Sequence, residues 1–546
     1  MRIALGQFNA VVGDLAGNAE KIRSFYAEAV ACDVDMLVFP ELAVCGYPPE
    51  DLLHKKHFLK DCSMMVDKLA ADCPEKTIIV GFAEHYKGSA YNSAAVLQGG
   101  KVVQTYRKSR LPNVGVFDEQ RYFKSGNEPV VIKLGDLNIA VTICFDIWDV
   151  DWLSDFLKTQ DQLQMIVNIS ASPYHLGKTE KRELILAQCA QKFGCAVAYC
   201  NLIGGQDELI FDGRSMLTDS SGKIVAKAAA FQQDMLIADL VSGNGPKVQV
   251  TPTKPQVLQP KDQVDEIYQA LVLGTGDYTR KNGFKKVLLG LSGGIDSSVV
   301  AAIAVAALGA ENVIGITMPS KFNSPDTKAD AQKLAENMGI EFLTIPIEPI
   351  LAQFDTSLQL AKGWDNKTVA YENLQARIRG SILMSLSNQF GTLVLTTGNK
   401  SETAVGYTTL YGDTAGGFAV IKDVPKTIVY KLAEHINKIS DQPIIPVDVI
   451  TRPPSAELRN DQKDSDSLPD YDLLDEILTG YVEQDKSSQQ LVQAGLPKDV
   501  VNRVIRMVDR NEYKRRQSPP GIKITPKAFG RDRRLPITNR YSCCEQ

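Results

Sequence analysis

Residues Ser292-Gly-Gly-Ile-Asp-Ser-Ser298 hold the most concentrated chemistry in the second half of the chain. Apolar residues that include Gly290 and Leu291 run into this segment, and an apolar helical stretch, Val299 to Leu308, leaves it. A strand therefore enters and a helix opens at Asp296. Gly293 and Gly294 let the backbone turn sharply and bring N–H groups close to an anion. The helix N-terminus adds free N–H donors and the positive end of a dipole. Hydroxyls at Ser292, Ser297 and Ser298 supply three more donors. From Gly290 through Ile295 to Ser298, the unit is built to hold a polyphosphate. Asp296 points to a metal ion beside it. The Gly-Lys-Ser/Thr ending of a Walker A loop is absent, so no lysine grips a transferring γ-phosphate. An ordinary capped helix would use the same Ser and Asp residues.

A second set lies in the first half. Cys144 ends the apolar run Ile139-Ala-Val-Thr-Ile, Glu41 follows Val38-Phe-Pro, and Lys108 follows Tyr106-Arg. Each stands where a strand would present it. A nucleophilic thiolate needs a base to form and a nearby cation to hold charge. Glu41 can be that base, and Lys108 can stabilise an oxyanion. Taken singly, they also read as a buried thiol and two surface charges. The chain has five His, of which only His175 lies near the proposed pocket, so a Cys–His dyad is poorly supplied. None of the ten Cys forms a C-x-x-C pair, which argues against a zinc ribbon or thioredoxin motif.

The elements that must position these residues differ between the halves. In the first, strands are expected at 3–8, 36–39, 77–82, 94–97, 138–143, 165–169 and 196–199, and helices at 18–31, 58–71 and 178–193. Gly99-Gly100 and Asp219-Ser-Ser-Gly222 read as hairpin turns. Mixed strands, hairpins and flanking helices suggest an α/β sandwich. Residues 242–260, rich in Gly, Pro, Thr and Gln, read as a linker or wrapping segment. Strands at 286–291, 313–318, 342–347 and 392–396 then alternate with helices at 297–308, 326–338 and 372–388. That is the grammar of a parallel sheet with crossover helices. The tail from about Asp448 is polar and Pro-punctuated, with helices near 472–482 and 498–512.

Composition narrows the class. The 546 residues are 44% hydrophobic and 23% charged, an ordinary globular balance with material for more than one core. Sixty Lys and Arg against 65 Asp and Glu leave a net charge of −5, which disfavours general binding to nucleic acid. The N-terminus does not read as a signal peptide, and the longest apolar stretch is too short to span a bilayer. The expectation is a cytoplasmic protein without a membrane segment.

The S-G-G-x-D-S motif resembles the loop of the N-type ATP pyrophosphatases, which cleave ATP between its α and β phosphates. Three more segments, Tyr371–Gly380, Thr396–Tyr407 with Tyr411-Gly-Asp413, and Asn511–Gly521, extend that resemblance to the synthetase domain of NAD synthetases. It implies that Asp296 and Glu402 hold magnesium and that Gly290–Ser298 and Thr397 bind ATP. It further implies that Asn373, Arg377, Glu402 and Lys514 contact deamido-NAD, with Asp413 and Lys426 matching less distinctive positions. Glu41, Lys108 and Cys144 together resemble the Glu-Lys-Cys triad of the nitrilase superfamily. Phe117–Phe123 and Asn168–Tyr174 match its surrounding motifs. The resemblance places Glu119 as an auxiliary carboxylate and Val114, Ser172 and Lys178 at glutamine.

Both halves are thus similar to the glutamine-dependent NAD synthetases. That resemblance implies a nitrilase-like α/β sandwich glutaminase at 1–242 and a linker at 243–264. It implies a parallel-sheet ATP-pyrophosphatase (adenine nucleotide alpha hydrolase-like) domain at 265–546. The implied activity is that of a carbon–nitrogen ligase using glutamine, ATP, deamido-NAD and Mg2+, in a homo-oligomer with an ammonia tunnel. Another acceptor carboxylate, or an idle nitrilase-like scaffold that binds partners, are the competing readings. The Tyr371 and Thr396 segments argue against the first, and the intact triad against the second.

Overall fold

The computed structural model describes residues 1–160, 162–242, 248–253, 259–459 and 462–541. Contacts divide the chain into two compact units, Met1–Pro260 and Lys261–Gln546.

In the first unit the strands are β1 (Arg2–Gln7), β2 (Met36–Val38), β3 (Thr77–Tyr86), β4 (Ser89–Gln98), β5 (Lys101–Arg107), β6 (Val130–Leu134), β7 (Leu137–Ile143), β8 (Met165–Ser170), β9 (Ala196–Asn201), β10 (Ile203–Gln206), β11 (Leu209–Asp212), β12 (Met216–Thr218), β13 (Ile224–Lys227), β14 (Asp234–Ser242) and β15 (Val248–Pro252). One sheet has the order β15-β14-β1-β2-β3-β4-β5 and a second β13-β12-β9-β8-β7-β6, with β10 and β11 as a separate hairpin. Alternation explains the layers. Ile3 and Leu5 share one core with Ile139, Val141, Met165 and Val167 of the opposite sheet. The intervening Ala4 joins Ile22 and Tyr26 of helix α1 (Leu15–Ala31) and Val66 of α2 (Lys56–Asp72). Following α3 (Glu119–Tyr122), helices α4 (Val150–Leu157) and α5 (Lys178–Phe193) cover Ala140 and Ile166 on the other outer face. The result is an αββα sandwich in which strands covered on both faces are almost wholly apolar.

Part of the stretch expected as a linker is strand. Val248–Pro252 pairs antiparallel with β14, while residues 243–247 and 254–258 lie outside the described residues. Cys543 and Cys544 also lie outside them, and the other eight thiols are free.

The second unit opens with α6 (Gln263–Lys281), which the sequence reading did not anticipate. Its strands are β16 (Val287–Gly290), β17 (Val313–Thr317), β18 (Glu341–Thr344), β19 (Leu393–Thr396) and β20 (Phe418–Ala419). They form a parallel sheet of order β18-β17-β16-β19-β20. Its helices continue with α7 (Ile295–Leu308), α8 (Pro325–Met338), α9 (Glu348–Leu358), α10 (Val369–Phe390), α11 (Lys400–Val405), α12 (Lys426–Ile439), α13 (Val447–Thr451), α14 (Tyr471–Leu478), α15 (Ser488–Gln493) and α16 (Lys498–Arg510). Strand order reverses direction at β16, and the carboxyl ends of β16 and β19 open a crevice there. Apolar faces of α14 and α16, including Leu474, Ile477, Val501, Val504 and Ile505, build a separate helical core under the polar tail. No described helix is long and apolar enough to cross a membrane.

Candidate functional site

Strand ends deliver the first constellation. Beyond β2 the chain turns through Pro40-Glu41-Leu42, and Gly81 of β3 makes room for it: a Cβ there would sit 2.4 Å from Leu42 N and 2.5 Å from Pro40 O. Lys108 follows β5. Cys144 follows β7 with φ at +44°, a left-handed elbow held by the surrounding sheet. Lys108 Nζ donates to Glu41 Oε1 at 2.7 Å and Glu119 Oε1 at 2.9 Å. Asn92 Nδ2 donates to Glu41 Oε1 at 2.7 Å, and Ala171 N–H to Oε2 at 2.7 Å. Tyr47 donates to Glu119 Oε1 at 2.9 Å. Glu41, Lys108, Glu119 and Cys144 are all buried, so the surface-charge reading of Glu41 and Lys108 is corrected.

Electrostatics follow from that burial. Desolvation opposes the Lys108 charge, yet Glu119 and Glu41 outweigh it and hold the ammonium firmly protonated. Burial, reinforced by Glu41 and opposed by Lys108, pushes Glu119 up to about 7. Burial and then Glu41 raise the Cys144 thiol, with Lys108 pulling the other way. The resting sulfur is a thiol, and attack requires a base.

Asp146, two residues after the sulfur, was not singled out from sequence. Its Oδ2 accepts from Ile143 N–H at 2.9 Å and Tyr106 at 2.7 Å. Its Oδ1 accepts from Ser109 N–H at 3.2 Å and Arg110 N–H at 2.9 Å. It thereby ties the Cys144 elbow to the segment after Lys108. Ser172 is buried, and Lys178 begins α5 with its amine 4.0 Å from the Trp148 ring centre. Burial and Arg182 lower Lys178 to about 8. Val114 is not drawn into this cluster; its residue is 65% exposed.

In the second unit a cleft of about 320 Å3 lies at the sheet reversal, lined by Gly290–Ser297, Thr397, Arg379 and Glu402 among others. Gly293 has φ at +82°, and a Cβ there would fall 2.1 Å from Thr327 O. Ser298 is not among the lining residues: it is buried, and its hydroxyl donates to Gly294 O at 2.9 Å. Ser297 also donates to Gly294 O, at 3.0 Å. Both hydroxyls brace the loop, Ser298 from behind and Ser297 from within the cleft, where it also meets Ser292 Oγ at 3.2 Å.

Asp296 and Glu402 converge on one cation position, that of the Lys426 ammonium, which contacts Asp296 Oδ2 and lies 3.5 Å from Glu402 Oε1. Burial and then Asp296 lift Glu402 to about 8. Two carboxylates facing one cation are oxygen donors of the kind magnesium takes, and the Lys426 ammonium supplies the positive charge there. Among the described residues no cluster of three or more His, Cys, Asp or Glu forms a metal cage. Asn399 links the two residues: its Nδ2 donates to Asp296 Oδ1 at 2.9 Å, its Oδ1 accepts from the Glu402 backbone N–H at 3.0 Å, and its own backbone N–H faces Glu402 Oε2 at 3.5 Å. The N-x-x-E spacing of a capping box could have revealed it. Arg379 also lines the cleft, its Nε donating to Met318 O at 3.0 Å.

Asn373, Arg377 and Lys514 meet at the 406–413 loop. Asn373 Oδ1 accepts from Thr409 at 2.8 Å, Arg377 Nε donates to Leu410 O at 3.2 Å, and Lys514 Nζ donates to Gly406 O at 2.7 Å and Thr408 O at 2.8 Å. Asp413 accepts from Thr409 N–H at 2.9 Å, and burial raises it to about 6.

Comparison with known proteins places both sites in context. The carbon-nitrogen hydrolase family model matches residues 2–245, and the NAD synthase model residues 267–518. A protein of Aquifex aeolicus named glutamine-dependent NAD(+) synthetase is 46% identical over 571 residues, covering 99% of this chain and 100% of the relative. One of the same name from Thermotoga maritima is 43% identical and covers 99% of each chain. The solved structure of glutamine-dependent NAD+ synthetase from Acinetobacter baumannii in complex with adenosine diphosphate superposes with a TM-score of 0.77 at 40% identity, covering 100% of this chain and 99% of that one.

Proposed function

The chain belongs to the glutamine-dependent NAD(+) synthetase family, and we propose that Cys144, Glu41 and Lys108 release ammonia from glutamine for amidation at the Ser292–Ser298 loop. The observation that carries this reading is the hydrogen-bonded set Glu41–Lys108–Glu119, assembled from two strand ends and the start of α3, whose charges act on Cys144.

Glu41 takes the Cys144 proton as the sulfur attacks the glutamine amide carbon. Lys108 stabilises the oxyanion. The carbon–nitrogen bond breaks, Glu41 returns the proton to the leaving nitrogen, and ammonia departs from a thioester. Water, deprotonated by Glu41, then frees glutamate and restores the thiol. Glu119 holds Lys108 in place, with Ser172 and Lys178 on the substrate.

At the second site, Gly290–Ser297 and Thr397 hold the ATP phosphates, and Asn373, Arg377, Glu402 and Lys514 hold deamido-NAD. Ser298 supports the loop from below. The nicotinate carboxylate attacks the α-phosphorus, and pyrophosphate leaves. Ammonia adds to the acyl adenylate, expelling AMP and leaving NAD. Asp296 and Glu402 would hold magnesium, which when bound supplies positive charge to the departing pyrophosphate. The same reading gives domain limits of 1–242 and 265–546 and a homo-oligomer, as the family resemblance implies, and a cytoplasmic location.

Cys144→Ala tests it. NAD formation from glutamine should fall to background while formation from ammonium chloride persists. Equal loss of both in folded protein overturns the division of labour.

A further inference from the structure

Arg182 lies one turn beyond Lys178 on α5, and only 2% of it is exposed. Its Nη1 reaches Asp212 Oδ1 at 2.7 Å and Oδ2 at 2.9 Å. Its Nη2 donates to Ser172 O at 2.8 Å and Pro173 O at 3.2 Å, and its Nε to Ser172 Oγ at 3.2 Å. We propose that Arg182, neutralised by Asp212, is a positioning residue for glutamine that fixes the Ser172 hydroxyl as a donor toward the substrate. The proposal rests on the reading of Ser172 as a glutamine contact.

The direction of the hydrogen bonds carries the argument. A guanidinium has donors and no acceptor, so Ser172 Oγ can only accept from it. Ser172 N–H is already used by Asn201 Oδ1 at 2.9 Å, and its carbonyl by Arg182. The serine proton is then the group it can offer, to the Tyr199 oxygen beside it or to a ligand. Tyr199, buried beside Ser172, carries a proton of its own.

Charge supports the same site. Residues four apart on a helix share a face, and like charges there repel. Asp212 pairs with Arg182 and, at 3.4 Å, with Arg214, while Lys178 on the same helix face is a cation for an anionic group such as the α-carboxylate of an amino acid. A buried ion pair adds little stability over apolar side chains of similar volume, so stability alone is a weak reason for this one.

The test compares glutamine hydrolysis by the full-length chain, the double variant Arg182→Met/Asp212→Leu and Ser172→Ala. The double variant avoids an unpaired buried carboxylate, and Arg214, which loses its 3.4 Å contact with Asp212, keeps its hydrogen bond to Thr179 Oγ1. We expect its glutamine KM to rise about tenfold, a loss of about 1.4 kcal/mol of binding, with kcat within about twofold of the parent. Iodoacetamide should alkylate Cys144 at the parental rate without glutamine, and half-protection should need about tenfold more glutamine. Lys178 is faced by Arg182 and Lys181 of its own helix, by Asp212 and by Cys144. Arg182 acts on it more strongly than Asp212, so the pH profile of KM should move upward in the double variant. An effect on packing alone would not move that profile.

A fall in kcat with KM unmoved, slowed alkylation without glutamine, or unchanged kinetics overturns the proposal. If Ser172→Ala raises KM and the double variant does not, the positioning role fails alone. If neither raises it, the reading of Ser172 fails too.

Discussion

Lys178 shows how a neighbourhood alters one side chain. Burial and the Arg182 charge bring its proton loss from above 10 to about 8. If the charged form binds glutamine, affinity is full below pH 8 and declines as pH rises through it. We expect glutamine KM to climb between pH 7 and 9 in the parent, and Lys178→Met to give a higher KM that is flat over that range. Steady-state glutaminase assays read both. An equally steep rise in the variant would exclude Lys178 as the titrating group. The residue types were legible in sequence because a thiol, a carboxylate and an amine end three strand-like runs. Their buried state was not legible, since burial of Glu41 and Lys108 depends on partners 51 and 67 positions away.

Elements set the geometry through a few side chains and two close approaches. Asp146→Asn keeps the size but replaces an acceptor facing Ile143 N–H and the Tyr106 hydroxyl. We expect a stability loss of about 1–3 kcal/mol by urea unfolding. A larger relative loss of glutaminase kcat than of alkylation by small reagents should accompany it. Unchanged stability and kcat would remove Asp146 from the support of the elbow. At the second site, Gly293→Ala forces a methyl against Thr327 O in a left-handed conformation. AMP formation should drop at least tenfold while glutamine hydrolysis continues, and normal AMP formation would show the turn to be replaceable. The strand–loop–helix unit was readable because its Gly and Ser punctuate apolar runs. The inward turn of Ser298 was not, since three hydroxyls in one segment look equivalent until the helix assigns two of them to Gly294 O.

At the scale of the whole molecule, the two units fold around separate cores, and their chemistry should separate by mutation. Asp296→Ala is expected to stop ATP-dependent NAD formation from either nitrogen source while glutamate release continues. Loss of both in protein with parental Cys144 alkylation would show the activities to be interdependent. The amino-acid order by itself determined the α/β classes of both halves and the glycine turn between strand and helix, and it singled out Cys144 as the candidate nucleophile, because periodicity, glycine turns and terminal reactive groups are local. Only the tertiary structure decided that Glu41, Lys108 and Glu119 form one bonded set, that Asp146 and Asn399 hold the reactive groups, that Val114 faces solvent, and that Arg182 reaches Ser172. Those facts depend on which strand ends and helices meet. Sheet pairing and burial create such meetings between distant segments, and no local pattern encodes them.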